Sequence, residues 1–125
     1  MGTTNPQAKL DVVGDITANY VTIGSAAVGL TTTDQTAIHT GLSTSVYRSV
    51  EYNIQVGQGT NFHATKIIAL HDGSNAYSNE YGTVYNNSSI ATFDVDVSGG
   101  NMRLLATGAS VSQTDYIISF TATKS

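Results

Sequence analysis

The chain of 125 residues has no cysteine, no tryptophan and only one proline. Without cysteine it forms no disulfide bond and no cysteine-ligated metal site, so its stability has to come from packing or from association between subunits. Charged residues are also few, at 11% of the chain, where an average soluble domain has about 25%. The five basic residues lie far apart in the sequence. Because nucleic acid is bound by clustered lysine and arginine, we expect no nucleic-acid partner.

Long apolar segments and helical periodicity are missing too. The longest apolar runs span only a few residues, which predicts no insertion into a membrane. No basic and apolar leader opens the sequence, so we expect no secretory signal. Apolar residues do not recur at helical spacing over the length of a helix. The sequence therefore predicts a fold without helices.

What the sequence does contain is a series of short alternating runs of β-branched and aromatic residues, separated by Gly, Asn, Asp and Ser. Such runs predict strands, here at residues 46–56, 63–71, 76–85, 90–97, 102–107 and 115–123. The apolar middle of the second run indicates a central strand that is covered on both faces. Two sheets that each bury one alternating face would explain the pattern. We therefore expect an all-β fold with an antiparallel, jelly-roll-like β-sandwich.

Residues 1–30 have a different pattern. Their short apolar groups are interrupted by Gly14, Gly24 and Gly29, and none is long enough to build a core. Isolated pieces of this kind need a partner. We therefore divide the chain into an N-terminal extended segment, residues 1–30, and a head domain, residues 31–125, whose first fifteen residues (31–45) are a connector.

The N-terminal segment also carries a resemblance. Residues 2–16 read GTTNPQAKLDVVGDI, which is Gly-Thr, a proline and then Leu-x-Val-x-Gly. This pattern resembles a short motif of phage tail fibres and related trimeric adhesins. The resemblance implies that residues 1–30 form a stalk that winds with two copies of itself, so that the protein is a homotrimer.

The head domain resembles a domain of structural proteins of tailed phages, notably those of cyanobacteria. The matching stretches are DQTAI (34–38), YRSVEY (47–52), HDG (71–73), EYGTV (80–84) and ATFDVDVSGGNMRLLA (91–106). The resemblance implies a place in the virion, on a tail or other surface appendage, with other virion proteins as partners. It brings no known functional residue with it.

Catalytic and metal-binding patterns are sparse. His39, His63 and His71 follow no spacing of metal ligands. Asp94 and Asp96 share one face of a strand at the separation of a glycosidase pair, but such a pair on an exposed strand is ordinarily solvated surface. We therefore expect no catalytic residue, no metal, no cofactor and no enzyme, and keep hydrolysis of polysaccharide as a third hypothesis.

Tyrosines are the better candidates for binding. Tyr77, Tyr81 and Tyr85 are four residues apart, and even spacing predicts that all three lie on one side of a strand. Asn75 and Asn86 flank them in polar turns. Tyrosine is a stiff apolar plate with a polar tip and suits sugars and protein surfaces. These five residues are the candidate receptor or glycan site; the alternative is that the tyrosines pack on the protein's own core or across a trimer interface.

Three charged residues are candidates for structural roles. Arg48 interrupts the apolar face of the strand at residues 46–56, where a guanidinium needs a carboxylate or carbonyl partner; a ligand clamp is the alternative. A two-residue turn at Gly99-Gly100 would place Asp96 and Arg103 on one face as a cross-strand ion pair.

Together these observations predict a virion appendage domain of the tail-fibre type that attaches to a host cell-surface glycan or receptor. The alternative is a structural virion protein, such as a capsid decoration, head fibre or baseplate module, without a receptor-binding role.

Overall fold

A computed structural model gives the fold and describes residue 4 and residues 10–125. Within this part of the chain there are nine strands and no helix, and therefore no helix that could span a membrane. The strands are β1 (Ile16–Ala18), β2 (Val21–Leu30), β3 (Thr36–Ser43), β4 (Tyr47–Gln58), β5 (Asn61–His71), β6 (Ala76–Tyr85), β7 (Ala91–Ser98), β8 (Asn101–Gly108) and β9 (Thr114–Lys124).

The strands form two sheets that pack face to face. The larger sheet has the order β1-β2-β9-β4-β5-β6 and the smaller one the order β3-β8-β7. Every pairing is antiparallel. This is an all-β antiparallel sandwich, and the predicted fold class is confirmed.

The core lies between the sheets and follows from the alternation along each strand. In β4, every second residue from Val50 to Val56 is buried, and β9 shows the same period from Tyr116 to Ala122. Met102 and Leu104 of β8 meet them from the smaller sheet with no exposed surface. Burying a large apolar side chain contributes roughly 1.5–3 kcal/mol, so this layer is the main source of stability.

A β-bulge at the start of β4 explains the position of Arg48. The pairing of β4 with β9 shifts between Tyr47 and Ser49, which turns Tyr47 toward the core and leaves Val46 42% exposed. The guanidinium of Arg48 lies at the surface and Nη1 donates to the carbonyl oxygen of His71 (2.9 Å). The bulge, rather than a buried charge, accounts for the polar interruption of the apolar face.

The N-terminal part of the chain differs from the predicted division. β2 pairs with β9 along its whole length, from Val21 to Leu30, so the second half of the predicted stalk segment is a strand of the larger sheet. The predicted connector contains β3, an edge strand of the smaller sheet. The Gly-Thr and proline of the stalk motif fall at residues 1–3 and 5–9, outside the described residues, and the wound stalk stays a prediction.

Two glycines close the hairpin of the smaller sheet. Gly99 and Gly100 have φ angles of +59° and +79°, as a two-residue turn of this type requires. Ser98 then pairs with Asn101, and Asp96 with Arg103. The Arg103 guanidinium donates two hydrogen bonds to the Asp96 carboxylate, from Nε at 2.8 Å and from Nη2 at 2.6 Å.

Candidate functional site

Within the described part of the chain, the smaller sheet covers one side of the larger sheet and leaves the other side open; we call this open side the outer face. Its large apolar and aromatic side chains are 40–65% exposed: Ile16, Ile23, Phe62, Ile68, Leu70, Tyr77, Tyr81, Val84 and Ile117. The sequence predicted that residues 63–71 are covered on both faces. In the single chain this prediction is wrong, because Ile68 and Leu70 on the outer face are each 48% exposed. A broad apolar surface of this kind marks a site of interaction.

A second bulge separates the three candidate tyrosines. Lys66 pairs with Tyr81, but two residues earlier on β5 Ala64 pairs with Val84, so β6 contains one extra residue there. Gly82 has a φ of +69° and accommodates this change of register. Tyr77 and Tyr81 lie on the outer face, whereas Tyr85 pairs with the buried His63 and contacts its ring (centroids 5.7 Å apart). The prediction that all three share one side is therefore wrong.

The two outer tyrosines are held by carboxylates. The Tyr77 hydroxyl donates to Asp72 Oδ2 (3.0 Å), and the Tyr81 hydroxyl donates to Glu51 Oε1 (2.9 Å). These hydrogen bonds raise the pKa of both hydroxyls. In the turn before β6, the backbone N–H groups of Asn75 and Ser74 donate to Asp72 and lower its pKa. Both rings are thus anchored at the hydroxyl while about half of each side chain stays exposed, which combines an apolar surface with a polar tip.

The candidate asparagines have local structural contacts. The backbone carbonyl of Asn75 accepts a hydrogen bond from the Asp72 N–H (3.1 Å) and closes the turn. The Asn86 side chain accepts from the Phe62 N–H through Oδ1 and donates to the Thr60 carbonyl through Nδ2, both at 2.9 Å. Because both of its amide atoms are engaged within the protein, Asn86 has less capacity for a ligand than the sequence suggested.

The outer face has three depressions. The largest, of about 590 Å³, lies at one end of the face and is lined by Gln55, Phe62, His63, Ala64, Val84, Tyr85 and Asn86. The bridge from Tyr81 to Glu51 crosses β5 and separates the other two. On one side is a small pocket of about 260 Å³ beside the Tyr77 ring, which we call the tyrosine pocket. It is lined by Ile68, Ala69, Leu70, Tyr77, Ser78 and Asn79. Apolar walls with a few amide and hydroxyl groups are typical of sites for small polar ligands.

On the other side is a wider depression of about 470 Å³, which we call the polar groove. One cross-strand row supplies most of its polar groups, since the register aligns Ser25 with Ser119, Ser119 with Asn53, and Asn53 with Lys66. The next row contributes Ile117, Gln55, Ala64 and Val84. Adjacent strands are about 4.8 Å apart, so four strands present these side chains along roughly 14 Å.

The groups that suggested chemistry lie elsewhere. Asp94 and Asp96 lie on β7 in the smaller sheet, where the hydrogen bonds from Arg103 lower the pKa of Asp96. His63 and His71 are buried at opposite ends of β5. Nothing in the described part of the chain brings three His, Asp or Glu side chains together as a metal site.

Sequence reasoning found the two outer tyrosines but missed the polar groove. Asn53 and Gln55 were visible as the polar side of an alternating strand, and Lys66 as a charge within an apolar one. Their meeting with Ser25 and Ser119 depends on β2 and β9 pairing across about ninety residues, which no local pattern specifies.

Comparisons with known proteins show a similarity in fold but assign the chain to no family. No protein-family model and no curated protein matches the chain. Its structure is similar to part of the tailspike protein of Acinetobacter baumannii phage AM24, with a TM-score of 0.53 and 10% identity over 84% of this chain and 26% of that one. The tailspike protein of Acinetobacter phage vB_ApiP_P1 overlaps with a TM-score of 0.44 and 14% identity over 97% of this chain and 25% of that one. The chain thus spans about a quarter of each tailspike, and it shares its fold with a domain found in a phage tailspike.

Proposed function

We propose that this chain is a domain of a phage tail appendage and attaches the virion to a host cell surface by binding a glycan on its outer face. The observation that carries the proposal is the pair of fixed tyrosine rings, Tyr77 and Tyr81, beside two depressions on an otherwise uncovered sheet. Stacking of sugar rings on immobile aromatic faces costs little conformational entropy.

The likeness to the fold of a tailspike protein supports a place in the virion tail. In this proposal the chain is a homotrimer, joined through a stalk formed by residues before β1, and its other partners are virion proteins. It binds polysaccharide without hydrolysing it.

A purely structural role in the virion is the second candidate. The exposed apolar side chains of the outer face, such as Ile23 and Ile117, favour it because such surfaces also join protein subunits. In that case the outer face would be buried in the particle and unable to reach a host.

Adsorption of the purified, fluorescently labelled chain to a panel of bacterial strains, cyanobacteria included, tests the proposal. We expect adsorption to at least one strain and a loss of about tenfold or more in affinity for Tyr77→Ala and Tyr81→Ala, since a stacking contact contributes about 1–3 kcal/mol. The matched control is Tyr20→Ala, which removes a 65% exposed tyrosine from the turn between β1 and β2. Equal adsorption by all variants, or adsorption to no strain, would contradict the proposal.

A further inference from the structure

We infer that the polar groove binds an acidic glycan, with the Lys66 ammonium group pairing with the carboxylate of a sugar. The inference rests on the proposed function and names the class of sugar that the outer face accepts. It is argued from the geometry of the groove, from the state of its polar groups and from its charge.

The groove is wide because its walls are small. Ser25, Ser119 and Ala64 have short side chains, and Gly82 has none. The volume of about 470 Å³ lies within the range of small-molecule sites, about 300–1,000 Å³. The extended row of four strands is long enough for an oligosaccharide to lie across the strands rather than along one of them.

Five polar side chains of the groove are free for a ligand, whereas the hydroxyl of Thr65 bonds to Glu80 and Thr83. Among the described residues, the side chains of Ser25, Asn53, Gln55, Lys66 and Ser119 make no hydrogen bond to the protein. The other polar groups of this face differ, because Tyr81 and Glu51 bond to each other and Asn86 bonds to the backbone. Two amides, two hydroxyls and one ammonium group supply both donors and acceptors for sugar hydroxyls.

The groove has a single positive charge, at the β5 end of its polar row. Lys66 forms no ion pair within the described residues, where the one salt bridge is that of Arg103 with Asp96 on the smaller sheet. The nearest acidic group by register is Glu51, one row away, and it already accepts the Tyr81 hydroxyl. A neutral sugar would leave the ammonium group to water alone. A sugar carboxylate would form a charge-assisted hydrogen bond with it, a stronger contact than a neutral one.

Apolar groups in the neighbouring row strengthen this match. Ile117, 52% exposed, and Val84, 65% exposed, belong to the row that contains Gln55. The C–H face of a pyranose can pack on them while its carboxylate and hydroxyls meet the polar row. The groove therefore has an apolar side and a polar side, as a sugar acid does.

An array of bacterial capsular polysaccharides tests the inference, with each acidic member printed beside its carboxyl-reduced form. We expect the wild-type chain to bind at least one acidic member of the array. Its affinity for the carboxyl-reduced form of that member should be lower by about tenfold or more. Lys66→Met should lose a similar factor, and Lys66→Arg should keep most of the affinity. Lys124→Met is the matched control, because it removes the same charge at the end of β9, away from the groove. Higher salt should weaken wild-type binding and leave residual binding by Lys66→Met unchanged.

Binding that survives carboxyl reduction, equal binding by Lys66→Met and wild type, or binding to neutral members alone would each overturn the inference. The proposed function would stand in those cases if adsorption to cells still depended on Tyr77 and Tyr81. Failure to bind any member of the array overturns the inference, and failure to adsorb to any strain separately contradicts the proposed function.

Discussion

At the scale of single residues, a buried tyrosine links the two sheets. Tyr52 has no exposed surface, and its hydroxyl shares a hydrogen bond with His39 Nδ1 (2.8 Å) from β3. Burial raises the pKa of Tyr52, so its hydroxyl stays protonated. Tyr52 and Phe120 also pack edge-on, with ring centroids 6.0 Å apart. The hydroxyl therefore fixes the position of the smaller sheet over an aromatic cluster.

Removing this hydroxyl should cost a measurable part of the stability. We expect Tyr52→Phe to lower the free energy of unfolding by about 1 kcal/mol, because it leaves His39 without its buried partner. Urea unfolding measures the change, with Tyr20→Phe as the control at an exposed ring. A Tyr52→Phe protein as stable as the wild type would show that the hydrogen bond contributes nothing net.

Two histidines make stability depend on pH. Burial lowers the pKa of His39 and His63 below the ordinary value of 6.5, and His63 Nδ1 accepts the Ile90 N–H (3.3 Å), which requires an unprotonated nitrogen. Well above pH 6.5 both histidines are neutral in the folded and the unfolded chain. As the pH falls through 6.5, the unfolded chain binds protons that the folded chain does not, so the free energy of unfolding decreases.

We therefore expect the Tm to decrease as the pH is lowered from about 7.5 to about 5. Most carboxylates titrate below this interval. His63→Gln keeps an acceptor oxygen and should show a flatter profile over that interval. Thermal unfolding at a series of pH values measures both proteins. Parallel profiles for the two would exclude His63 as a source of the pH dependence.

At the scale of the strands, the bulge in β6 decides which side chains reach the outer face. Gly82 has open space where a Cβ would lie, but its φ of +69° is unfavourable for other residues. Gly57 provides a matched comparison, because its φ is not in the left-handed region and an added Cβ would touch the Phe62 ring only at an ordinary 3.8 Å.

The two glycines should respond differently to the same change. We expect Gly82→Ala to lower the free energy of unfolding by about 1–2 kcal/mol, and Gly57→Ala to be neutral or to stabilise the protein by up to about 1 kcal/mol. Chemical denaturation of both variants makes the comparison. Equal effects would mean that the backbone of β6 does not depend on the positive φ.

The pairing of β2 with β9 predicts where the chain can be shortened. β2 packs Ala26, Val28 and Leu30 against the core, and Thr22 bonds to the Tyr47 hydroxyl (2.9 Å). A chain that begins at residue 31, the boundary predicted from the sequence, would leave β9 as a bare edge. We expect it to be unfolded or strongly destabilised, since each large side chain contributes roughly 1.5–3 kcal/mol.

A chain that begins at residue 15 is the control and should fold like the full chain. Circular dichroism and thermal unfolding distinguish the two truncations. Cooperative unfolding of the shorter chain at the Tm of the full chain would show that β2 is dispensable.

Sequence patterns predicted the strands whose alternation is regular and missed those that are interrupted. Strands β4 to β9 were expected, to within a few residues. β3 was missed because its pairing shifts twice, around His39, and the alternation is lost. β2 was missed because of its glycines, yet Gly24 is required there: an added Cβ would lie 2.5 Å from the ring of its neighbour Phe120. In the same way, the extra residue at Gly82 separated Tyr85 from Tyr81.

At the scale of the whole molecule, the larger sheet has a buried face that stabilises the fold and an exposed face that carries the proposed binding site. The inner layer holds the large buried side chains, and the smaller sheet leaves the outer face of the larger one uncovered. The positions of Tyr77, Tyr81 and Lys66 on that face follow from register between strands that are distant in sequence. The proposed binding residues therefore lie on strands of a sheet rather than on loops, which favours precise placement.

We expect the full chain to be a trimer in solution, as the proposed stalk requires. Light scattering on a sizing column should give a mass near three times 13.1 kDa, and a chain that begins at residue 15 should give the monomer mass. A trimer that survives this truncation would place the subunit contact on the sandwich, and a monomeric full chain would contradict the stalk.

The most direct test of the central claim, that the outer face binds a host glycan, is a map of the bound surface by nuclear magnetic resonance. The isotope-labelled protein would be titrated with surface polysaccharide extracted from a strain to which it adsorbs. The account predicts that the backbone signals of Asn53, Lys66, Tyr81 and Ser119 change, while those of β7 and β8 do not. Changes confined to the smaller sheet or to the turns, with the outer face unaffected, would contradict it.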